Sequence, residues 1–187
     1  MNVLSKALQK TVRFLNDQQV PYMVIGGLAN SLYGESRQTF DIDIKIRVDQ
    51  KKLPEFIKEL ADIGQVMTAD PLSFLRETGV LPIDVEKVRV DLILAQLPYE
   101  QQAISRSRES DLLGVVTRVT MAEDLIIQKS ISPRSKDWLD IEGIIGRQSS
   151  ALDWGYIMEN IRELAEFLSD PALVGKIEQL YEQTRRS

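Results

Sequence analysis

Apolar positions along this chain follow two rhythms, one of strand and one of helix. Leu4, Leu8, Val12 and Leu15 recur every three or four residues and predict an amphipathic helix over 3–18. Pro21 interrupts that spacing, and the unbroken apolar run Tyr22-Met-Val-Ile25 reads as a short buried strand. Gly26-Gly27 opens a turn, Leu28 to Tyr33 predicts a brief helix ending at Gly34, and Phe40 to Val48 alternates as a strand does. Leu53, Phe56, Ile57 and Leu60 return to helical spacing within 51–63. Leu81, Ile83 and Val85, then Val88, Val90, Leu92 and Leu94, alternate on either side of Glu86-Lys87, which predicts a hairpin. A helix over 99–109 and a strand near Val115 to Val119 complete this half.

Beyond residue 119 the helical rhythm stands alone. Thr120-Met-Ala-Glu123 fits a capping box ahead of a helix carrying Leu125, Ile126 and Lys129. Ser135 caps a helix through Ile145 that stops at Gly146, and Ile157, Ile161, Leu164 and Leu168 define another. Asp170-Pro171 starts the last. The predicted architecture is α/β in the α+β sense: a mixed sheet with flanking helices over 1–118, then a C-terminal helical bundle over 119–187. No Gly/Ser-rich linker separates the two, so they are expected to pack together and leave a cleft.

Composition narrows the chemistry. With 187 residues, 43% hydrophobic and 27% charged, the chain suits one globular domain or two small lobes. No apolar run approaches the roughly 20 residues that span a bilayer. The charged, amphipathic N-terminus does not read as a secretory signal, so a cytoplasmic location without a membrane partner is expected. The chain has no cysteine and no histidine. Thiol nucleophiles, cysteine zinc sites, Ser-His-Asp hydrolysis and histidine general bases are therefore excluded. A net charge of −5 argues against a dedicated nucleic-acid binder. Arg106, Arg108 and Arg118 either meet a phosphate backbone locally or, the favoured reading, decorate a solvated surface.

Carboxylates carry the remaining chemistry. On a strand, Asp41, Asp43 and Lys45 share one side, and Ile42, Ile44 and Ile46 take the other. Aligned carboxylates repel each other unless a cation lies between them, and hard oxygen donors suit magnesium or manganese. Carboxylates placed on an edge strand for solubility are the plainer alternative, although Asp is disfavoured within strands. Asp91 shares its face with Arg89 and Ile93; it is either a third carboxylate or the partner of Arg89 or Lys45, and Asp84 competes for its place. Lys45 is a local counter-charge to the aspartates. Gly26 and Gly27, lacking Cβ atoms, let the backbone approach an anion at a helix N-terminus; a bare strand-to-helix turn is the alternative.

The order Gly26-Gly27-Leu-Ala-Asn30, Tyr33, Arg37-Gln-Thr39-Phe-Asp41-Ile-Asp43 and Val90-Asp91-Leu92 resembles the DNA polymerase beta-like nucleotidyltransferase superfamily. Leu125-Ile-Ile-Gln-Lys129 with Arg134-Ser-Lys136-Asp137-Trp-Leu-Asp140 is similar to its AbiEii-type branch, which includes toxins of abortive-infection and toxin–antitoxin systems. The resemblance covers most of residues 20–145. It implies that Asp41 and Asp43 hold magnesium ions on a nucleoside triphosphate, with Asp91 a third ligand and the base for the attacking hydroxyl. It also implies that Lys129 neutralises phosphate charge, where an ordinary helix surface with pairs among Lys136, Asp137 and Asp140 is the alternative. Arg37 and Thr39 either touch phosphate or shape the turn before the strand. One departure is Gly27, which stands where the superfamily often has serine.

The expected function is magnesium-dependent transfer of a nucleotidyl group to RNA, a protein hydroxyl or a small molecule, antibiotics included. On the AbiEii resemblance the protein is a toxin with an antitoxin partner. A catalytically silent nucleotide-binding or protein-interaction module is the alternative. Convergence of Asp91 with Asp41 and Asp43 favours the enzyme, and an Asp91 tied up in a salt bridge elsewhere favours the module.

Overall fold

The computed structural model describes residues 2–186. Two units emerge: residues 2–28 with 38–120, and residues 29–37 with 121–186. The first contains α1 (Val3–Asp17), β1 (Tyr22–Ile25), the first turn of α2 (Gly26–Tyr33), β2 (Asp41–Ile46), α3 (Leu53–Glu59), β3 (Gln65–Val66), α4 (Pro71–Thr78), β4 (Val80–Val85), β5 (Val88–Leu94), α5 (Pro98–Arg106), β6 (Arg108–Leu112) and β7 (Val115–Val119). Among the described residues the strands form one seven-stranded mixed sheet in the order β3-β4-β5-β2-β1-β7-β6.

The strand alternation read from sequence sets the two faces of this sheet. Ile42, Ile44 and Ile46 of β2 are fully buried, as are Val90 and Leu92 of β5. Helix α1 lies against β2, β4, β5 and β7, presenting Leu8 and Leu15, and Phe14 meets Phe56 of α3 with ring centroids 6.0 Å apart. On the other face Met23 and Ile25 of β1 pack with Ala103 and Ile104 of α5, joined by Ile93 and Ala95. Burial of this many aliphatic side chains, each worth about 1.5–3 kcal/mol, holds the sheet between its helices.

Turns fix the register. Glu86 and Lys87 both take positive φ, 55° and 65°, the pair of left-handed residues that a two-residue hairpin turn requires. Asp84 accepts the Lys87 amide at 3.0 Å, so it serves that turn. Leu113-Gly114 repeats the geometry between β6 and β7, with φ of 57° and 79°. The strand β6 escapes a hydrophobic reading because its sequence, RESDL, is polar until Leu112. Helix α4 is short and buries Leu75; Asp70 caps it by accepting the Ser73 amide and Gly79 ends it at φ 72°. Gly26-Gly27 forms the first turn of α2 itself, where the sequence predicts a turn ahead of a helix starting at Leu28.

The second unit is helical: the remainder of α2, α6 (Ala122–Ser130), α7 (Ser135–Gln148), α8 (Trp154–Leu168) and α9 (Ala172–Arg186). Helix α6 is buried along nearly its whole length and neighbours both α7 and α8. The expected capping box does not form: the N-cap is Met121, without a side-chain cap. Glu123 instead accepts the Asp153 amide at 3.2 Å, at the start of α8, because α8 runs close enough to claim the carboxylate. Gly146 lies inside α7, which continues to Gln148. Among the described residues no helix is long and apolar enough to cross a membrane.

Candidate active site

Strands β2 and β5 run parallel and in register, pairing Asp41 with Arg89 and Asp43 with Asp91. Paired residues on adjacent strands project to the same face, so all four side chains rise from one patch of the sheet. Asp41 is exposed; Asp43 and Asp91 are half-buried. On the other side of β2, Asp43 pairs with Ile25, the last residue of β1.

The glycine turn meets this patch directly. Gly26 takes φ 65°, and a Cβ at that position would collide with the Asp43 carboxylate. Only glycine accommodates both the left-handed backbone and the close approach. Thr39, just ahead of β2, donates its hydroxyl to Asp41 Oδ1 at 2.8 Å and so steadies the more exposed carboxylate.

Arg89 brings a cation to the patch. Its Nε lies 2.9 Å from Oδ1 and 3.1 Å from Oδ2 of Asp91. The hydrogen bond and charge of Asp91 raise the guanidinium above its ordinary value, and the charges of Asp41 and Asp43 add to this. Sequence reasoning has Arg89 only as one alternative partner for Asp91; the spacing Arg-x-Asp on a strand, which puts both on one face, is the signal that singles it out.

Lys45, expected to neutralise the aspartates, has another partner. It is buried and ion-paired with Glu100 of α5, whose second oxygen accepts the Gln96 and Leu97 amides at 2.7 and 2.9 Å. The carboxylate that caps α5 thus claims the lysine. Arg118 is likewise committed, donating from Nε to Ser107 Oγ at 2.9 Å.

Two further residues singled out from sequence, Arg37 and Lys129, lie in the second unit on a shared carboxylate. Arg37 donates from Nε and Nη2 to the two oxygens of Asp140, each at 3.2 Å. Lys129 is buried and reaches Asp140 at 2.6 Å and Asp137 at 3.0 Å. Asn30 adds a contact to Asp140 at 3.3 Å. Burial pushes the Asp137 carboxyl up, but hydrogen bonds from Ser132 and Lys129, the Lys129 charge and the Arg134 hydrogen bond outweigh it and hold the group below its ordinary value. Lys129 therefore sits in a buried charge network, and the open helix surface weighed as its alternative is absent at this position.

Asp41, Asp43 and Asp91 offer carboxylate oxygens, which are hard donors. Among the described residues no group of three His, Cys, Asp or Glu side chains is arranged to hold a metal ion by itself. Magnesium does not require one, because one or two carboxylates plus substrate phosphates are its usual protein environment. Asp41 and Asp43, with Asp91 alongside, fit that requirement, and the collision-free approach of Gly26 leaves backbone close to the same place.

No curated protein matches the chain. The chain resembles the solution structure of the antibiotic-resistance factor ANT(2'')-Ia at 18% identity and a TM-score of 0.53, covering 95% of each chain. It resembles an antigenic nucleotidyltransferase-like protein from Paracoccidioides brasiliensis at 16% identity and a TM-score of 0.55, covering 93% of this chain and 91% of that one. The lincomycin-bound lincosamide antibiotic adenylyltransferase LnuA matches at 16% identity and a TM-score of 0.50, over 74% of this chain and 94% of that one. These likenesses establish a nucleotidyltransferase-like fold. Residues 3–172 match the family described as nucleotidyltransferase of unknown function (DUF6036), and the chain belongs to that family.

Proposed function

We propose that this protein transfers a nucleotidyl group from a nucleoside triphosphate to an acceptor hydroxyl, with magnesium or manganese. The observation that carries the reading is the register of β2 on β5, which sets Asp91 beside Asp43 on the face that also bears Asp41. In the reaction the acceptor oxygen bonds to the α-phosphorus, the bond to the bridging oxygen breaks, and pyrophosphate leaves. A divalent ion bound here supplies charge neutralisation to the triphosphate.

The chain's own residues then divide the work. Asp41 and Asp43 bind the ion, with Thr39 orienting Asp41. Asp91 completes the ligand set and takes the acceptor's proton. The first amides of α2, at Gly26 and Gly27, receive the phosphates at a helix N-terminus. Arg37 and Lys129 are already held by Asp140, which supports a role in ordering the residues around α2 and α7 over a direct contact with phosphate.

The test is labelling. The protein is incubated with each labelled nucleoside triphosphate, magnesium or manganese, and a cell extract, beside the Asp41→Ala/Asp43→Ala variant. Label that depends on the aspartates identifies the donor and shows whether the acceptor is RNA, protein or a small molecule such as an antibiotic. No aspartate-dependent label with any nucleotide sinks the reading.

The AbiEii-like motifs extend the proposal to a toxin neutralised by an antitoxin. Expression that arrests growth in the wild type and not in Asp41→Ala/Asp43→Ala supports this extension; equal growth of both removes it. The second reading, a silent module, is favoured by one observation: Asp91 is held by Arg89. Nucleotide binding without aspartate-dependent labelling is its signature.

A further inference from the structure

Arg89 occupies the position that a bound cation would contest. It stands opposite Asp41 across the parallel pair and two residues before Asp91 on the same face. Its Nε is shared between both oxygens of Asp91, so that carboxylate is engaged in the structure as it stands. Three carboxylates, those of Asp41, Asp43 and Asp91, rise from one face here, although among the described residues no group of three is arranged to hold a metal ion by itself. Their mutual repulsion is met by a guanidinium.

The pair is also built to open. The Arg89 side chain is 55% exposed while that of Asp91 is 15% exposed, so the cation lies on the solvent side and the anion on the protein side. An ion pair with one exposed partner is held weakly, and a divalent ion attracts a carboxylate with twice the charge of one guanidinium. Arginine stays protonated throughout, so its charge is not lost when it leaves Asp91. Its planar fork of donors suits a phosphate as well as a carboxylate.

We propose that Arg89 is an internal counter-cation: it holds Asp91 in the metal-free protein, yields the carboxylate when a divalent ion binds, and turns onto the phosphates of the donor nucleotide. The inference rests on the metal reading of Asp41, Asp43 and Asp91. Arg89 then acts twice, first as a competitor of the metal and afterwards as a ligand of the triphosphate. Its removal has opposite effects on the two ligands, which a merely structural residue would not produce.

The experiment measures manganese binding by electron paramagnetic resonance without nucleotide, then binding of a non-hydrolysable nucleoside triphosphate at saturating manganese. Wild type, Arg89→Met, Arg89→Lys and Asp41→Ala/Asp43→Ala are compared as full chains. Arg89→Met is expected to bind manganese about threefold to tenfold more tightly than wild type, and the triphosphate more weakly by a similar factor. Arg89→Lys, which keeps the charge, should stay near wild type for manganese. Loss of manganese binding in the aspartate variant alone confirms the metal reading independently. If wild type binds manganese and Arg89→Met binds it equally or less tightly, the counter-cation inference falls and the metal reading stands. If neither binds manganese, both fall. Because Arg89 is largely exposed, Arg89→Met should retain its fold, and melting in excess manganese checks this: a wild-type-like transition is required for the affinities to count, and a variant that fails to fold shows that Arg89 is structural and overturns the inference.

Discussion

Asp43 and Asp91 stand opposite each other on adjacent parallel strands, and Arg89, from the same strand as Asp91, is bonded to Asp91. Two like charges in register destabilise a sheet. The sheet tolerates them here with Gly26 pressed against one and Arg89 against the other. On the proposed metal reading, the two charges are kept together for the ion they would hold.

Asp43→Asn tests the metal reading. The substitution should leave the metal-free fold intact, with a melting temperature near that of the wild type, and should abolish any stabilisation that manganese gives the wild type. Melting curves with and without manganese read both effects. A lower melting temperature without metal would show that Asp43 is needed for the fold itself.

Gly26→Ala should harm site and fold together. Alanine at φ 65° costs about 1–3 kcal/mol in backbone strain, and its methyl group displaces the Asp43 carboxylate as well. Urea unfolding should show the loss of stability, and manganese affinity should fall with it. Unchanged affinity would mean that the glycine serves the turn alone.

Much of this site is legible in the sequence because strands have a period of two. The alternation of aspartate with isoleucine from Asp41 to Ile46 assigns a polar and an apolar face without any knowledge of neighbours, and the same holds for Arg89, Asp91 and Ile93. Pairing across strands is not local. Nothing near Lys45 indicates that Glu100, on a helix 55 residues later, claims its ammonium. Nor do residues near Arg37 indicate Asp140, 103 residues away. Helix α4 and strand β6 escape a hydrophobic reading for another reason: each is short and buries a single apolar side chain, Leu75 and Leu112, and the Asp70-Pro71 and Gly79 punctuation is the clearer signal of the helix.

The buried pair of Lys45 and Glu100 should behave asymmetrically. Glu100→Gln leaves an ammonium without its counter-charge in a buried site, although the amide oxygen still accepts at the start of α5, so it should cost about 3–5 kcal/mol. Lys45→Met leaves Glu100 with the Gln96 and Leu97 amides, which still stabilise its charge, and should cost less. The double variant should be more stable than the sum of the two single losses implies. Additive losses in chemical denaturation would show that the two groups do not act as a pair.

Asp137 contributes to the acid sensitivity of the helical unit. Its carboxyl is held below its ordinary value of 3.8 in the fold, which means that the folded state binds the proton less readily than the unfolded chain. The stabilisation is therefore complete well above pH 3.8 and drains away as the pH falls from there through the lower folded-state value. Asp137→Asn keeps the shape and removes the titration, while leaving Lys129 with Asp140 as its remaining carboxylate. The variant should be less stable than wild type at neutral pH, and the gap between them should narrow as the pH drops below 3.8. Thermal melting of both proteins across that range is the measurement. A gap that stays constant down the acid limb would show that the loss in Asp137→Asn comes from packing, with no contribution from the charge shared among Ser132, Arg134 and Lys129.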